Sequence, residues 1–260
     1  MTLAQRCAWL VQRNNRRRRQ VAPGISALTE LAGLLVEFQS NPGSMSLNGS
    51  QVMAWNNVAG SEAMTLNYQG GGFGPPLFTA DALGSGRPAV NFRSGSMAAA
   101  VGWSYPDMTA VFVGNVDSDN LQVNHPRWLS MARYSVSEED WNAADTWVTA
   151  CYNCLDSNFV ADRNGTSPVA IPFDPAKKYI IATRKSGDTI TAWVKPFGEA
   201  TATASGATDN VGLVVDTFNV GGNQVVENLA GMIAHIGLWN RGLTDEEVLA
   251  ALNYLSSIYE

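Results

Sequence analysis

Short runs of β-branched and aromatic residues, four to eight long and cut apart by glycine, proline, asparagine and aspartate, constrain the fold of this chain more than anything else in it. The runs are Leu34 to Phe38, Val52 to Trp55, Ala89 to Phe92, Thr109 to Val113, Tyr179 to Thr183, Thr189 to Val194, Val211 to Asp216 and Met232 to Trp239. Each has the length and composition of a strand. Between them lie turn signals such as Asn41-Pro-Gly43, Asn48-Gly49, Gly70 to Pro76, Lys185 to Asp188 and Gly221-Gly222, which supply positive φ or a preset φ. Many strands with hairpin signals and almost no intervening helix predict an all-β antiparallel sandwich of jelly-roll type, with a barrel as the related alternative. The clearest hairpin joins Ile180 to Thr183 and Ile190 to Val194 through Arg184 to Thr189. One later segment is plainly helical: Thr244-Asp-Glu-Glu247 is a capping box, and Val248, Leu249, Leu252 and Leu255 follow at helical spacing, predicting a helix over residues 244–258.

A length of 260 residues suits one large all-β domain, and a charged content of only 15% leaves little material for solvated helix faces. No window has the roughly 18 uninterrupted apolar residues that a membrane-spanning helix needs. The three cysteines, Cys7, Cys151 and Cys154, are too few for a disulfide framework in a chain this long and point to a reducing site of synthesis. The apolar run Cys7 to Val11 is too short for a secretory core, and the arginine cluster follows it instead of preceding it.

Charge divides the chain in two. Of 17 basic residues six are arginines in the first twenty positions, so the remaining 240 residues carry 11 basic against 23 acidic groups, a formal −12. Thr2 and Gln5 form a capping box, and Leu3, Cys7, Leu10 and Val11 recur at helical spacing, so residues 2 to about 13 predict a short amphipathic helix ended by Val21 to Gly24. Such a helix is marginal alone in water, and four adjacent arginines repel one another. The expectation is a basic arm, residues 1–24, that docks on a partner through Leu3, Trp9, Leu10, Arg6, Arg13, Arg16, Arg17, Arg18 and Arg19, followed by a sandwich domain over residues 25–260. An arm folded back on its own acidic body is the competing reading.

The stretch from Gly231 through His235, Trp239-Asn-Arg-Gly-Leu-Thr-Asp-Glu-Glu-Val248 and on to Tyr254-Leu-Ser-Ser-Ile-Tyr259 resembles the closing strand and helix of laminin-G-like, concanavalin-A-like domains. Gly33 to Phe38, Val52 to Asn57 and Gly86 to Phe92 agree with that family in order, with a poorly matched middle. The resemblance implies a lectin-type sandwich, a fold that hosts lectins, hydrolases and scaffolds alike. It is most similar to the use of such domains in tailed-bacteriophage particles, and so implies a non-enzymatic virion structural protein, a capsid decoration or tail-associated, made in the host cytoplasm. Its arm would hold other virion proteins in a homo-oligomer or larger assembly. The alternatives are a carbohydrate-binding adhesin or receptor-binding module that takes a cell-surface glycan, and a nucleic-acid contact through the arm, which the acidic body disfavours.

Glycosidases of the resembled fold carry a Glu-X-Asp-X-Glu strand that aims three carboxylates into one groove, and no such triplet occurs here. Ser137-Glu-Glu-Asp140 is the nearest acidic cluster, and Ser137 reads as a helix cap. His125 precedes a proline in a loop, and His235 is expected on the polar face of its strand; both are assigned structural roles. Cys151 and Cys154 stand outside any βαβ context, so their spacing is a weak redox signal. Gly84 to Ala89 matches a dinucleotide fingerprint in letters only, since Pro88 and a strand replace the required helix. Asn48-Gly-Ser50 and Asn164-Gly-Thr166 read as turns before glycosylation sites. The middle region places Trp128, Tyr134, Asp140, Trp141 and Trp147 among acidic residues, a candidate ligand surface in which aromatic rings stack on sugars; core packing of the same aromatics is the commoner outcome. Asp117 and Asp119 are a weak calcium candidate, with an ordinary turn favoured and no other cofactor expected.

Overall fold

The computed structural model describes residues 24–70, 74–84, 86–93, 95–117, 126–135, 147–153, 157–163, 168–222 and 229–260. Their strands are β1 (Leu34–Gln39), β2 (Met45–Asn48), β3 (Gln51–Asn56), β4 (Thr65–Tyr68), β5 (Leu77–Thr79), β6 (Ala89–Asn91), β7 (Met97–Tyr105), β8 (Met108–Val116) and β9 (Arg127–Ala132). They continue with β10 (Trp147–Asn153), β11 (Asn158–Asp162), β12 (Val169–Pro172), β13 (Tyr179–Ser186), β14 (Thr189–Pro196), β15 (Ala202–Ala207), β16 (Leu213–Val220) and β17 (Gly231–Trp239). One α-helix among the described residues, α1 (Asp245–Tyr259), follows. The pairings are antiparallel and form two layers. One runs β1-β17-β8-β13-β14-β15, and the other runs β2-β3-β4-β7-β16-β9-β10-β11-β12. The short strands β5 and β6 bridge from β3 to β17, so the chain is an antiparallel β-sandwich whose hydrogen bonding passes from one layer to the other.

Side-chain alternation explains why the layers stack. From β8, Ala110 and Phe112 face the other layer, where they join Phe38, Trp55, Trp128, Trp147, Phe159, Ile181, Phe218 and Ile236 in the intersheet core. Val111 and Val113 point the opposite way, and with Ile180, Ala182, Trp193 and Trp239 they form a second core covered by Val248, Leu252, Leu255 and Tyr259 of the helix. The first layer is therefore apolar on both faces, and β8 reads as a nearly unbroken hydrophobic run for that reason.

The expected strands are present with adjusted bounds. The hairpin turn is shorter than predicted, because β13 and β14 stay paired out to Ser186 and Thr189, leaving Gly187 (φ 58°) and Asp188 as a two-residue turn. The run beginning at Val211 enters its strand only at Leu213: Val211 is exposed, and Gly212 packs its backbone beneath the carbonyl of Tyr105. Strands β2, β4, β5, β7, β9, β10, β11, β12 and β15 were not predicted.

The helix starts where its capping box predicts. Thr244 accepts from the Glu247 amide, Glu247 accepts from the Thr244 amide, and both oxygens of Glu247 receive the guanidinium of Arg241 at 2.8 and 2.7 Å. Arg241 also donates to the carbonyl of Ala32, so this fork ties the helix start to the entry of β1. Gly33 (φ 85°) lies so close to Asn240 that a Cβ there would sit 2.7 Å from its Oδ1. The predicted basic arm, with Leu3, Arg6, Trp9, Leu10, Arg13 and Arg16 to Arg19, lies outside the described residues. No helix among the described residues is long and apolar enough to cross a membrane.

Candidate functional site

No helix among the described residues lies over the outer face of the second layer, and the strand register arranges one line of residue positions straight across it. Ser46 stands opposite Ala54, Ala54 opposite Asn67, Asn67 opposite Ala98, Ala98 opposite Asn219, Asn219 opposite Ser130, Ser130 opposite Val148, and Val148 opposite Asp162. Small and polar residues dominate this line, whereas the inward positions one residue away carry Trp55, Leu66, Met97, Phe218 and Met131. Inward and outward positions thus alternate at this level of β3, β4, β7, β16 and β9, and the polar set faces away from the core.

Over β4 and β7 the line opens into a groove of ≈ 570 Å³. Its floor is Ala98, Ala100 and Gly102, and its wall carries Thr65, Asn67 and Gln69. That size suits a small ligand of one or two rings. At one end stands Glu62. Trp103 Nε1 donates to its Oε2 at 2.8 Å, and the Tyr105 hydroxyl lies 3.4 Å from its Oε1. The loop that carries Glu62 is shaped by Asn57, whose Nδ2 donates to the carbonyls of Ala59 and Glu62 while its Oδ1 accepts from the Met64 amide. Burial and the neighbouring Glu62 push the Tyr105 phenol above its ordinary pKa. Tyr105 therefore keeps its proton and acts as a donor, not as a phenolate nucleophile.

Beyond β7 the same face is closed. Asn219 and Ser130 are buried although their strand positions face outward. Tyr134 arches over this part: its hydroxyl lies 3.5 Å from Asn219 Nδ2, and its amide donates to Asp216 Oδ1 at 2.9 Å. Asp216 also accepts from the Ser135 amide at 2.8 Å. Burial raises the Asp216 carboxyl, but the bonds from Ser135, Thr217 and Tyr134 outweigh it and hold the group below the usual carboxylate range.

The predicted ligand surface is only partly where it was expected. Trp128 and Trp147 are fully buried between the layers, Trp128 against Phe112, Phe159 and Phe173, so neither ring offers a stacking surface. Their strands run next to each other on the polar face, but both indoles point inward. Tyr134 does lie on that face, and Asp140 and Trp141 lie outside the described residues. Asp117 is exposed, Asp119 lies outside the described residues, and among the described residues no group of three or more His, Cys, Asp or Glu is placed to hold a metal ion. His125, Cys154, Ser137 and Asn164 also lie outside them. The groove residues Glu62, Thr65, Asn67 and Gln69 were missed. Their signal was the alternation Thr65-Leu-Asn-Tyr-Gln69, whose meaning depends on a neighbour thirty residues away.

His235 corrects a second expectation. It does occupy the outer face of β17, placed there by a bulge between Ile233 and His235, but α1 covers that face and the residue is 1% exposed. Its Nε2 is 2.9 Å from Glu37 Oε1 and its Nδ1 is 3.3 Å from the Tyr259 hydroxyl. Burial raises the Glu37 carboxyl, yet hydrogen bonds and charge from His235, with a bond from Gln39, bring it below its ordinary value. Burial pushes the Tyr259 hydroxyl far up. A third polar cluster lies at one end of the sandwich, where Arg163 meets Asp209 at 2.7 Å and Lys185 donates to the carbonyl of Pro106 at 2.5 Å. Burial pushes Lys185 down, and Asp107 partly restores it. Arg163 is thus held by Asp209, and Lys185 by Pro106 and Asp107.

No protein-family model matches the chain, and no curated protein sequence matches it. Solved structures share its fold. A Trypanosoma rangeli sialidase in complex with sialic acid superposes with a TM-score of 0.53 at 14% identity, covering 98% of this chain and 39% of the sialidase. The botulinum neurotoxin serotype D binding domain gives 0.50 at 12% identity, covering 85% of this chain and 51% of that one. The enzymatically active domain of bacteriophage CBA120 tailspike protein 2 gives 0.53 at 8% identity, covering 85% and 33%. The chain thus spans between 33% and 51% of the length of these proteins. The β-sandwich is what they hold in common with it. They overturn the expectation of a non-enzymatic virion structural protein, since structures that share this fold include sialidases, a tailspike domain described as enzymatically active and a toxin binding domain.

Proposed function

We propose that this chain is a carbohydrate-recognition module that engages a cell-surface glycan through the groove over β4 and β7. The observation that carries the reading is the groove itself, where the small, exposed Ala100 and Gly102 let a flat ring approach the sheet while Thr65, Asn67, Gln69 and Glu62 offer polar atoms along its edge. A sugar ring needs that combination, because its hydroxyls demand directed hydrogen bonds and its body demands close contact. Supporting context comes from the sandwich's likeness to sialidases, a tailspike domain and a toxin binding domain. The finer assignment to the laminin-G-like, concanavalin-A-like group belongs to the same proposal. It is supported by Asn240, Arg241, Thr244 and Glu247, the residues of the closing motif, which together fasten the strand-to-helix junction.

The test is a broad glycan array probed with the full chain and with Ala100→Trp, which fills the exposed floor of the groove without touching the core. Binding to a defined set of glycans by the parent, lost in Ala100→Trp at unchanged melting temperature, is the expected result. Silence of the parent across the array, or undiminished binding by Ala100→Trp, would refute the proposal.

A further inference from the structure

We infer that the groove selects uncharged sugars and discriminates against glycans whose terminal sugar carries a carboxylate, an inference that rests on the glycan reading above. The argument begins with hydrogen-bond direction. Gln69 Nε2 donates to the carbonyls of Asn67 at 2.9 Å and Ala98 at 3.3 Å, so both of its N–H groups are committed to the sheet. Asn67 Nδ2 donates to the Thr65 carbonyl at 3.3 Å, and the Thr65 hydroxyl donates to Asn56 Oδ1 at 2.7 Å. Gln69 and Thr65 thus have only oxygens left for a ligand, Gln69 Oε1 and the lone pairs of Thr65 Oγ1, while Asn67 keeps Oδ1 and one N–H. Glu62 adds two more oxygens. Each of its oxygens meets one aromatic donor, Trp103 or Tyr105, and a carboxylate has about four acceptor positions, so capacity remains.

The groove is therefore rich in acceptors, and the complementary ligand is rich in donors. Neutral sugar hydroxyls meet that demand. A sugar carboxylate offers only acceptors and a negative charge, and would have to shed water beside Glu62 with no compensating cation. No lysine, arginine or histidine lines the groove among the described residues, so the fork that ordinarily captures a carboxylate is missing. The formal −12 of residues 21–260 adds a weaker repulsion at long range that salt screens. The discrimination thus sets this groove apart in ligand chemistry from the sialic acid named in a structure that shares its fold.

The experiment measures the full chain against a panel of neutral oligosaccharides, each paired with the same oligosaccharide ending in a sialic or uronic acid. The neutral member of at least one pair binds, and its acidic counterpart binds about tenfold or more weakly, a gap typical of unmatched charge. Glu62→Gln narrows that gap, and Asn67→Lys, which places a cation on the rim, narrows or reverses it. Glu199→Gln, outside the groove, leaves it unchanged. Equal or tighter binding of the acidic members, or a gap indifferent to both Glu62→Gln and Asn67→Lys, overturns the selectivity while the glycan reading stands. No binding to any member removes both.

Discussion

The two layers of the sandwich use their outer faces in opposite ways. The first layer turns Val111, Val113, Ile180, Trp193 and Trp239 outward and seals them beneath α1, together with the buried set Glu37, His235 and Tyr259. The second layer turns Asn67, Ala100 and Gly102 outward and leaves them exposed over β4 and β7. Both layers share one intersheet core, so the open face is not needed to hold the fold together. The difference separates what holds the fold together from what meets solvent: the covered face is apolar because it must stay packed, and the open face is small and polar because it is left to water, which is where the proposed glycan site lies.

That contrast is broken most easily by core truncation. Trp239→Ala empties a fully buried site under the helix and should cost about 3–5 kcal/mol, whereas Thr65→Ala on the open face should stay within about 0.5 kcal/mol. Urea unfolding of the two variants compares them directly, and equal costs would abolish the distinction. Next in size is His235→Ala, which strands the buried Glu37 carboxylate and should cost about 3 kcal/mol. The Glu37 pKa is depressed in the folded state, so its contribution is present in full above the unfolded value and fades as pH falls through the folded one. Thermal melting of the parent should therefore show an acid-side loss of stability that Glu37→Gln flattens.

A smaller effect is expected at the helix start. Glu247→Gln weakens a half-exposed fork with Arg241 and half of the capping box, for about 1 kcal/mol by denaturant midpoint. Smallest of all in stability is Asn67→Ala, below about 0.5 kcal/mol, yet it should lower glycan affinity about tenfold in a titration. Stability and binding would then separate along the same line as the two faces.

Legibility in the sequence followed the same division. Strands β8, β13, β14 and β17 were readable because burial on both faces makes them continuous apolar runs, and α1 because its capping box is local. β7 was not, since Met97-Ala-Ala-Ala-Val-Gly carries little β propensity and becomes a strand only between β4 and β16. Local alternation put His235 on the correct face but could not reveal the helix that covers it. Trp128 and Trp147 lay near the polar face in sequence, but which way an indole points is decided by register. The groove was hidden for the same reason, because Asn67 meets Ala98 only through pairing across thirty residues.

The central claim is that ligand contact falls on the open face of the second layer and nowhere on the helix-covered one. Backbone amide chemical-shift mapping, with a saturating neutral oligosaccharide chosen from the array, tests it most directly. The account predicts shifts concentrated at Thr65 to Gln69 and Ala98 to Gly102 with α1 and β13 unmoved; shifts centred on α1, or confined to strands other than β4 and β7, would contradict it.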